Sequence, residues 1–134
     1  MRVLCVDDHP IILNGLRNKV LQILPNAQVE AFTRVKDALS YAQKYGCDVL
    51  LCEIELHDHG GFRLAKRIKE INPLVNIIFV TVCSEGEHAK EVMQLRSSGY
   101  LSKPASIYQL KEELLNLRYP VEHQSINATA IQYA

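Results

Sequence analysis

Hydrophobic residues along this chain alternate between two rhythms. Short continuous apolar runs, Val3-Leu4-Cys5-Val6 and Val49-Leu50-Leu51-Cys52, end in acid: Asp7-Asp8 after the first and Glu53 after the second. Runs this short, rich in Val and bounded by polar residues, predict strands buried on both faces of a parallel sheet. Between them the spacing becomes helical. Ile11, Leu13, Leu16, Val20 and Leu24 predict a helix that opens at Pro10, where a missing N–H costs nothing, and stops before Pro25-Asn26. Residues 27–32 predict a second strand. Thr33 stands as a cap for a helix over 34–45, which Gly46 breaks.

After the third strand, residues 55–61 form a polar, Gly-ended loop. Phe62, Leu64, Ile68 and Ile71 then predict an amphipathic helix closed by Asn72-Pro73. Residues 76–81 predict a fourth strand. Ser84 and Glu87 have capping-box spacing for a helix ending near Ser98-Gly99. Tyr100-Leu101-Ser102 is a short fifth strand followed by Lys103-Pro104. Ser106 and Gln109 cap a last helix with Leu110, Leu114 and Leu117 on one stripe. Five strands alternating with five helices predict an α/β fold with a doubly wound parallel sheet. Residues 1–119 make one domain, and 120–134, where the pattern dissolves, read as a linker or disordered tail.

Composition narrows the function classes. The chain has 134 residues, 48% hydrophobic and 22% charged, ordinary for a globular domain. Fifteen basic and fifteen acidic residues cancel, which argues against direct nucleic-acid contact by this chain. No apolar run approaches the roughly 20 residues of a membrane helix, and the first run is cut short by acid, unlike a signal peptide. Cys5, Cys47, Cys52 and Cys83 form no CxxC pair. They read as buried thiols in a reducing cytoplasm.

The chemistry gathers at strand ends. In open parallel sheets ligands bind beyond the carboxyl ends of the strands, where Asp7, Asp8 and Glu53 converge. Three such anions need a divalent cation or a shared proton. Thr81 ends the fourth strand and Lys103 follows the fifth. Acids able to hold Mg²⁺, with a hydroxyl and an ammonium on the same rim, make a site for a phosphoryl group. A salt bridge from Lys103 to Glu53 or Asp8 would satisfy the site without metal, and a solvated acidic rim is the plainest alternative.

Val6-Asp7-Asp8, the segment 48–61, the strand ending in Thr81 and Gly99-Tyr100-Leu101-Ser102-Lys103-Pro104 resemble the receiver domain of bacterial two-component response regulators. The resemblance covers residues 1 to about 119. It implies a flavodoxin-like sheet of strand order 2-1-3-4-5. It implies metal binding by Asp7, Asp8 and the backbone carbonyl of Glu55, with Glu53 at the phospho-acceptor position where the family has Asp. Thr81 matches the switch hydroxyl, Tyr100 the switch aromatic and Lys103 the phosphate-sensing lysine, and the bond before Pro104 is expected to be cis.

Three departures set the functional expectation. Glu53 carries its carboxylate about 1.5 Å further out than Asp would. Val82 stands where the family has a small residue. His57 and His59 replace a common loop proline and a frequent Met. With Asp58 the two histidines are a conceivable transition-metal group, though such a pair more often faces solvent. Lys66, Arg67 and Lys69 read as an exposed charged face.

The leading reading is a non-enzymatic, phosphorylation-independent or constitutively active-like pseudo-receiver. It would control a transcriptional output by protein contact. The face made by the fourth helix, fifth strand and fifth helix would meet a second copy or an output domain. Leu117-Arg118-Tyr119-Pro120-Val121 resembles a junction to such a domain. The alternatives are a Mg²⁺-dependent receiver taking phosphate from a histidine kinase on Asp8 or Glu53, and a scaffold with no switch.

Overall fold

Strand β1 (Arg2–Val6) is an interior strand of the sheet, with Val3 to Val6 apolar and buried on both faces. The computed structural model describes residues 1–57, 60–83 and 85–121, with backbone alone at Glu85. β1 pairs in parallel with β2 (Gln28–Phe32) on one side and β3 (Val49–Cys52) on the other. β3 pairs with β4 (Asn76–Thr81), and β4 with β5 (Gly99–Ser102). The order β2-β1-β3-β4-β5 is the one expected.

Alternation along each strand divides the core in two. Val3, Cys5, Val49, Leu51, Ile78 and Val80 face α1 (Pro10–Ile23) and α5 (Ile107–Leu115), which contribute Leu13, Leu16, Val20, Ile23, Leu110 and Leu114. Leu4, Val6, Leu50, Cys52, Ile77 and Phe79 face α2 (Val35–Tyr45) and α3 (Gly61–Ile71), which contribute Ala38, Ala42, Leu64, Ala65 and Ile68. Helices on both faces explain why the strands read as continuous apolar runs.

Several local expectations are corrected. The α1 stripe begins at Leu13, since Ile11 is 88% exposed. Arg34, not Thr33, is the N-cap of α2, and it makes no side-chain cap bond. Ile71 is partly exposed at the end of α3. The Ser106–Gln109 capping box forms, but α5 ends before Leu117, which packs on the core from outside the helix. The fourth helix is much shorter than expected. A 3-10 turn, Glu85–His88, precedes a six-residue α4 (Ala89–Gln94) that buries none of its residues. A helix this short, with no buried face, lacks the tertiary packing that stabilises most helices. Ser84, its expected cap, lies outside the described residues, as do Asp58, His59 and residues 122–134 of the expected tail.

Past α5 the chain is tied back to the sheet. Asn76, fully buried, donates to the Tyr119 carbonyl at 2.7 Å and accepts from the Tyr119 N–H at 2.8 Å and from Ser98 Oγ at 2.8 Å. Lys69 lies over the Tyr119 ring at 4.9 Å, so it covers the exit of the chain, while Lys66 and Arg67 are exposed as expected. Among the described residues no helix is long and apolar enough to cross a membrane.

Truncating Asn76 strips both Tyr119 backbone groups of a partner, which costs about 1–3 kcal/mol. The expected result for Asn76→Ala is a lower urea midpoint with an unchanged m-value, measured by circular dichroism.

Candidate functional site

Each strand ladder runs one residue beyond its strand. Asp7 N donates to the Phe32 carbonyl at 3.1 Å, Glu53 N to the Val6 carbonyl at 3.0 Å and Lys103 N to the Thr81 carbonyl at 2.9 Å. These bonds fix Asp7, Glu53 and Lys103 on one rim of the sheet. Gly61 at the start of α3 closes the floor. A Cβ there would meet the Glu53 and Ile54 carbonyl oxygens at 2.5 Å, so only glycine allows this approach.

The Glu53 side chain turns into the crevice and is 2% exposed. Its Oε1 accepts from Lys103 Nζ at 2.9 Å and from Val82 N–H at 3.4 Å, and its Oε2 accepts from Glu55 N–H at 3.1 Å. Lys103 also donates to Asp7 Oδ2. The Lys103–Pro104 bond is cis. Burial by itself would pull the Lys103 ammonium down. Hydrogen bonds and charge from Asp7 and Glu53 outweigh it, and the ammonium is held above the ordinary lysine value. The expected lysine bridge therefore forms to Glu53, and its second carboxylate is Asp7 in place of Asp8.

Asp7 and Asp8 meet histidines that the sequence reading passed over or turned outward. His9 N–H donates to Asp7 Oδ1 at 2.9 Å, and the His9 ring nitrogen lies 3.2 Å from the same oxygen. His57 has an 84% exposed side chain, yet its ring and its N–H, at 2.7 Å, both engage Asp8 Oδ2. Burial raises Asp8, but the His57 bonds and the charges of His57 and His9 overcome this and hold it below the usual carboxylate range. Asp8 Oδ1 is buried and accepts no hydrogen bond among the described residues, although the His9 ring nitrogen stands 3.1 Å away. Ligand atoms of Asp7, Asp8 and His9 lie within 4.8 Å of one another. A hard divalent cation suits these carboxylate oxygens. Glu53, expected as a further ligand, instead gives both oxygens to nitrogen donors.

The switch residues sit beside the crevice without all entering it. Thr81 is fully buried, and its Oγ1 accepts from Cys83 N–H at 3.2 Å. Tyr100 is half-buried against the α3 side of the core, and its hydroxyl donates to the Cys83 carbonyl at 2.8 Å. The Val82 side chain is 69% exposed beside Lys103 and Pro104, while its N–H points to Glu53. The Glu55 carboxylate turns away toward Cys83 Sγ at 3.4 Å and His88 Nε2 at 3.6 Å.

Comparison with known proteins decides the family. The response regulator receiver domain model matches residues 3–115. The chain belongs to that family. This receiver is 25% identical over 114 residues to the response regulator GacA of Pseudomonas aeruginosa, covering 85% of the chain and 53% of that protein. It is 31% identical over 106 residues to UvrY of Escherichia coli K12, covering 79% of the chain and 49% of that protein. It thus spans about half the length of these curated relatives. Its fold matches a CheY-like receiver from Methanospirillum hungatei with a TM-score of 0.77 at 23% identity, over 85% of this chain and 90% of that one. The receiver is a two-component signalling module. His9, Cys83 and His88 are the site neighbours that sequence reasoning missed. Only His9 carried a local signal, since it directly follows the acid pair.

Lys103→Met would leave two buried carboxylates without their cation, a loss of about 3–5 kcal/mol at neutral pH. The wild-type contribution is complete below the ordinary lysine value of about 10.4 and fades as pH rises through the raised Lys103 value. The variant should lack that alkaline loss, which urea titrations across alkaline pH measure.

Proposed function

We propose that this receiver signals without a phosphoryl group, its own Glu53 carboxylate supplying the anion. The supporting observation is the set of three nitrogen donors, Lys103 Nζ, Val82 N–H and Glu55 N–H, that converge on Glu53. Donors able to hold an oxyanion are already engaged by a covalently attached one. An acceptor must also present a lone pair aligned for in-line attack, and three nitrogen donors already take three of the about four lone-pair sites of Glu53. The imitation is partial, because a carboxylate brings one charge and a phosphoryl nearly two.

Tyr100 supports the same reading. Its hydroxyl ties it to the loop after β4, so the aromatic ring is held inward on the side that carries Val82 and Cys83. Glu53 biases this two-state element by binding the same loop through Val82 N–H. Asp7 and Asp8 remain a platform for Mg²⁺, with Asp8 Oδ1 accepting no hydrogen bond among the described residues while the His9 ring nitrogen lies 3.1 Å away. Such an ion would neutralise negative charge at the rim. The Glu55 carbonyl is kept as a proposed ligand.

The output surface we assign is the α4-β5-α5 face, where Met93, Tyr108 and Leu115 are 76%, 57% and 45% exposed. It would contact an output domain or a second copy, in the cytoplasm, and so control transcription with no catalysis of its own. Under the competing reading a histidine kinase would phosphorylate Asp8 or Glu53.

Incubation with Mg²⁺ and acetyl phosphate, followed by intact-mass measurement, separates the two. The expected result is no adduct on the wild type and an adduct on Glu53→Asp. A stoichiometric adduct on the wild type overturns the proposal, and its persistence in Glu53→Gln would place the phosphate on Asp8. Glu53→Gln should shift the backbone amide resonances of Val82, Cys83 and Tyr100. Unchanged resonances would favour a scaffold with no switch.

A further inference from the structure

A second group of metal-ligating side chains lies outside the phosphorylation crevice. Glu55 follows β3, Cys83 follows β4 and His88 ends the 3-10 turn, so three separate segments deliver one ligand each. Glu55 Oε1, Cys83 Sγ and His88 Nε2 lie within 4.8 Å of one another. Cys83 Sγ is 3.4 Å and His88 Nε2 is 3.6 Å from Glu55 Oε1.

The second distance is too long for an ordinary N–H···O bond, which runs about 2.7–3.2 Å. It does suit a shared centre. Zinc bonds of about 2.0–2.3 Å in a tetrahedron place ligand atoms about 3.3–3.8 Å apart. We propose that Glu55, Cys83 and His88 form a binding site for a zinc-class divalent ion, with water as the fourth ligand.

The donor set is selective. A thiolate and an imidazole suit zinc or cobalt and not magnesium, which prefers oxygen. The side-chain exposures also suit an open site: Cys83 is buried at 6%, His88 side chain is 25% exposed and Glu55 side chain 57%. Phe62 packs edge-on against the His88 ring at 5.2 Å, which fixes the imidazole's orientation. The ion would displace the Cys83 thiol proton to solvent and form the S–metal bond in its place. The consequence reaches the switch, because the Cys83 carbonyl holds the Tyr100 hydroxyl. Metal at Cys83 would fasten the loop after β4 to the loop after β3, independently of Glu53. Cys5, Cys47 and Cys52 do not compete. They are buried in or beside the strands, with Cys5 pushed up to about 12 by burial.

Titration of the reduced full chain with cobalt(II), followed by absorption, tests this. The expected result is a sulfur-to-cobalt charge-transfer band that saturates at one ion per chain, is displaced by zinc chloride and persists in excess magnesium chloride. Cys83→Ser should abolish the band. His88→Gln should weaken binding by more than the about 10–100-fold that loss of an outer-shell partner costs. Asp8→Asn should leave the band in place, which separates this site from the acidic rim. Absence of the band, or its survival in Cys83→Ser, overturns the proposal. Should Cys83→Ser fail the far-ultraviolet dichroism check for folding, undiminished affinity in both His88→Gln and Glu55→Gln overturns it equally.

Discussion

The ammonium of Lys103 lies between two carboxylates, Asp7 and Glu53, that are each 2% exposed. Burying either acid alone would carry a desolvation cost of several kcal/mol, and burying both unpaired would add their repulsion. With Lys103 in place the crevice can hold two anions close together. Everything else at the rim follows from that arrangement. Asp8 is left to the histidines, and Glu53 is drawn inward where backbone N–H groups complete its shell.

Sheet geometry makes the bridge available. The register places Asp7, Glu53 and Lys103 one residue beyond three different strands, and ladder bonds continue to each of them. Gly61 lets α3 approach the Glu53 backbone closely enough to wall the crevice. Side chains on such a framework are aimed by rigid elements and not by loops, which is what preorganised anion binding needs. Packing is thin at the short α4, which buries none of its residues.

Much of the fold was legible in the chain. The strands announced themselves because both faces are buried, and Pro10, Gly46 and the Ser106–Gln109 pair marked helix ends by local chemistry. Element ends that rely on packing were less legible. Ile11 sits at helical spacing yet faces outward, and the helix expected to run to Ser98-Gly99 is a six-residue α4 with no fully buried residue. The site residues Asp7, Asp8, Glu53, Thr81 and Lys103 were all placed correctly at strand ends. Of their pairings, Lys103 with Glu53 was anticipated as one alternative, while Lys103 with Asp7, 96 residues away, was not.

The sequence by itself determined the strand order's ingredients, the buried periodicity, and the presence of Glu53 at the end of the third strand. Those are local properties: side-chain volume, polarity and spacing. Only the tertiary structure decided that Glu53 points inward onto Lys103, Val82 and Glu55, that Asp8 goes to His57, and that Glu55, Cys83 and His88 meet. Apart from Glu53–Glu55 and Cys83–His88, those contacts join residues far apart in the chain. Which oxygen meets which nitrogen is settled by competition among several close charges within one rim, and no spacing rule encodes its outcome.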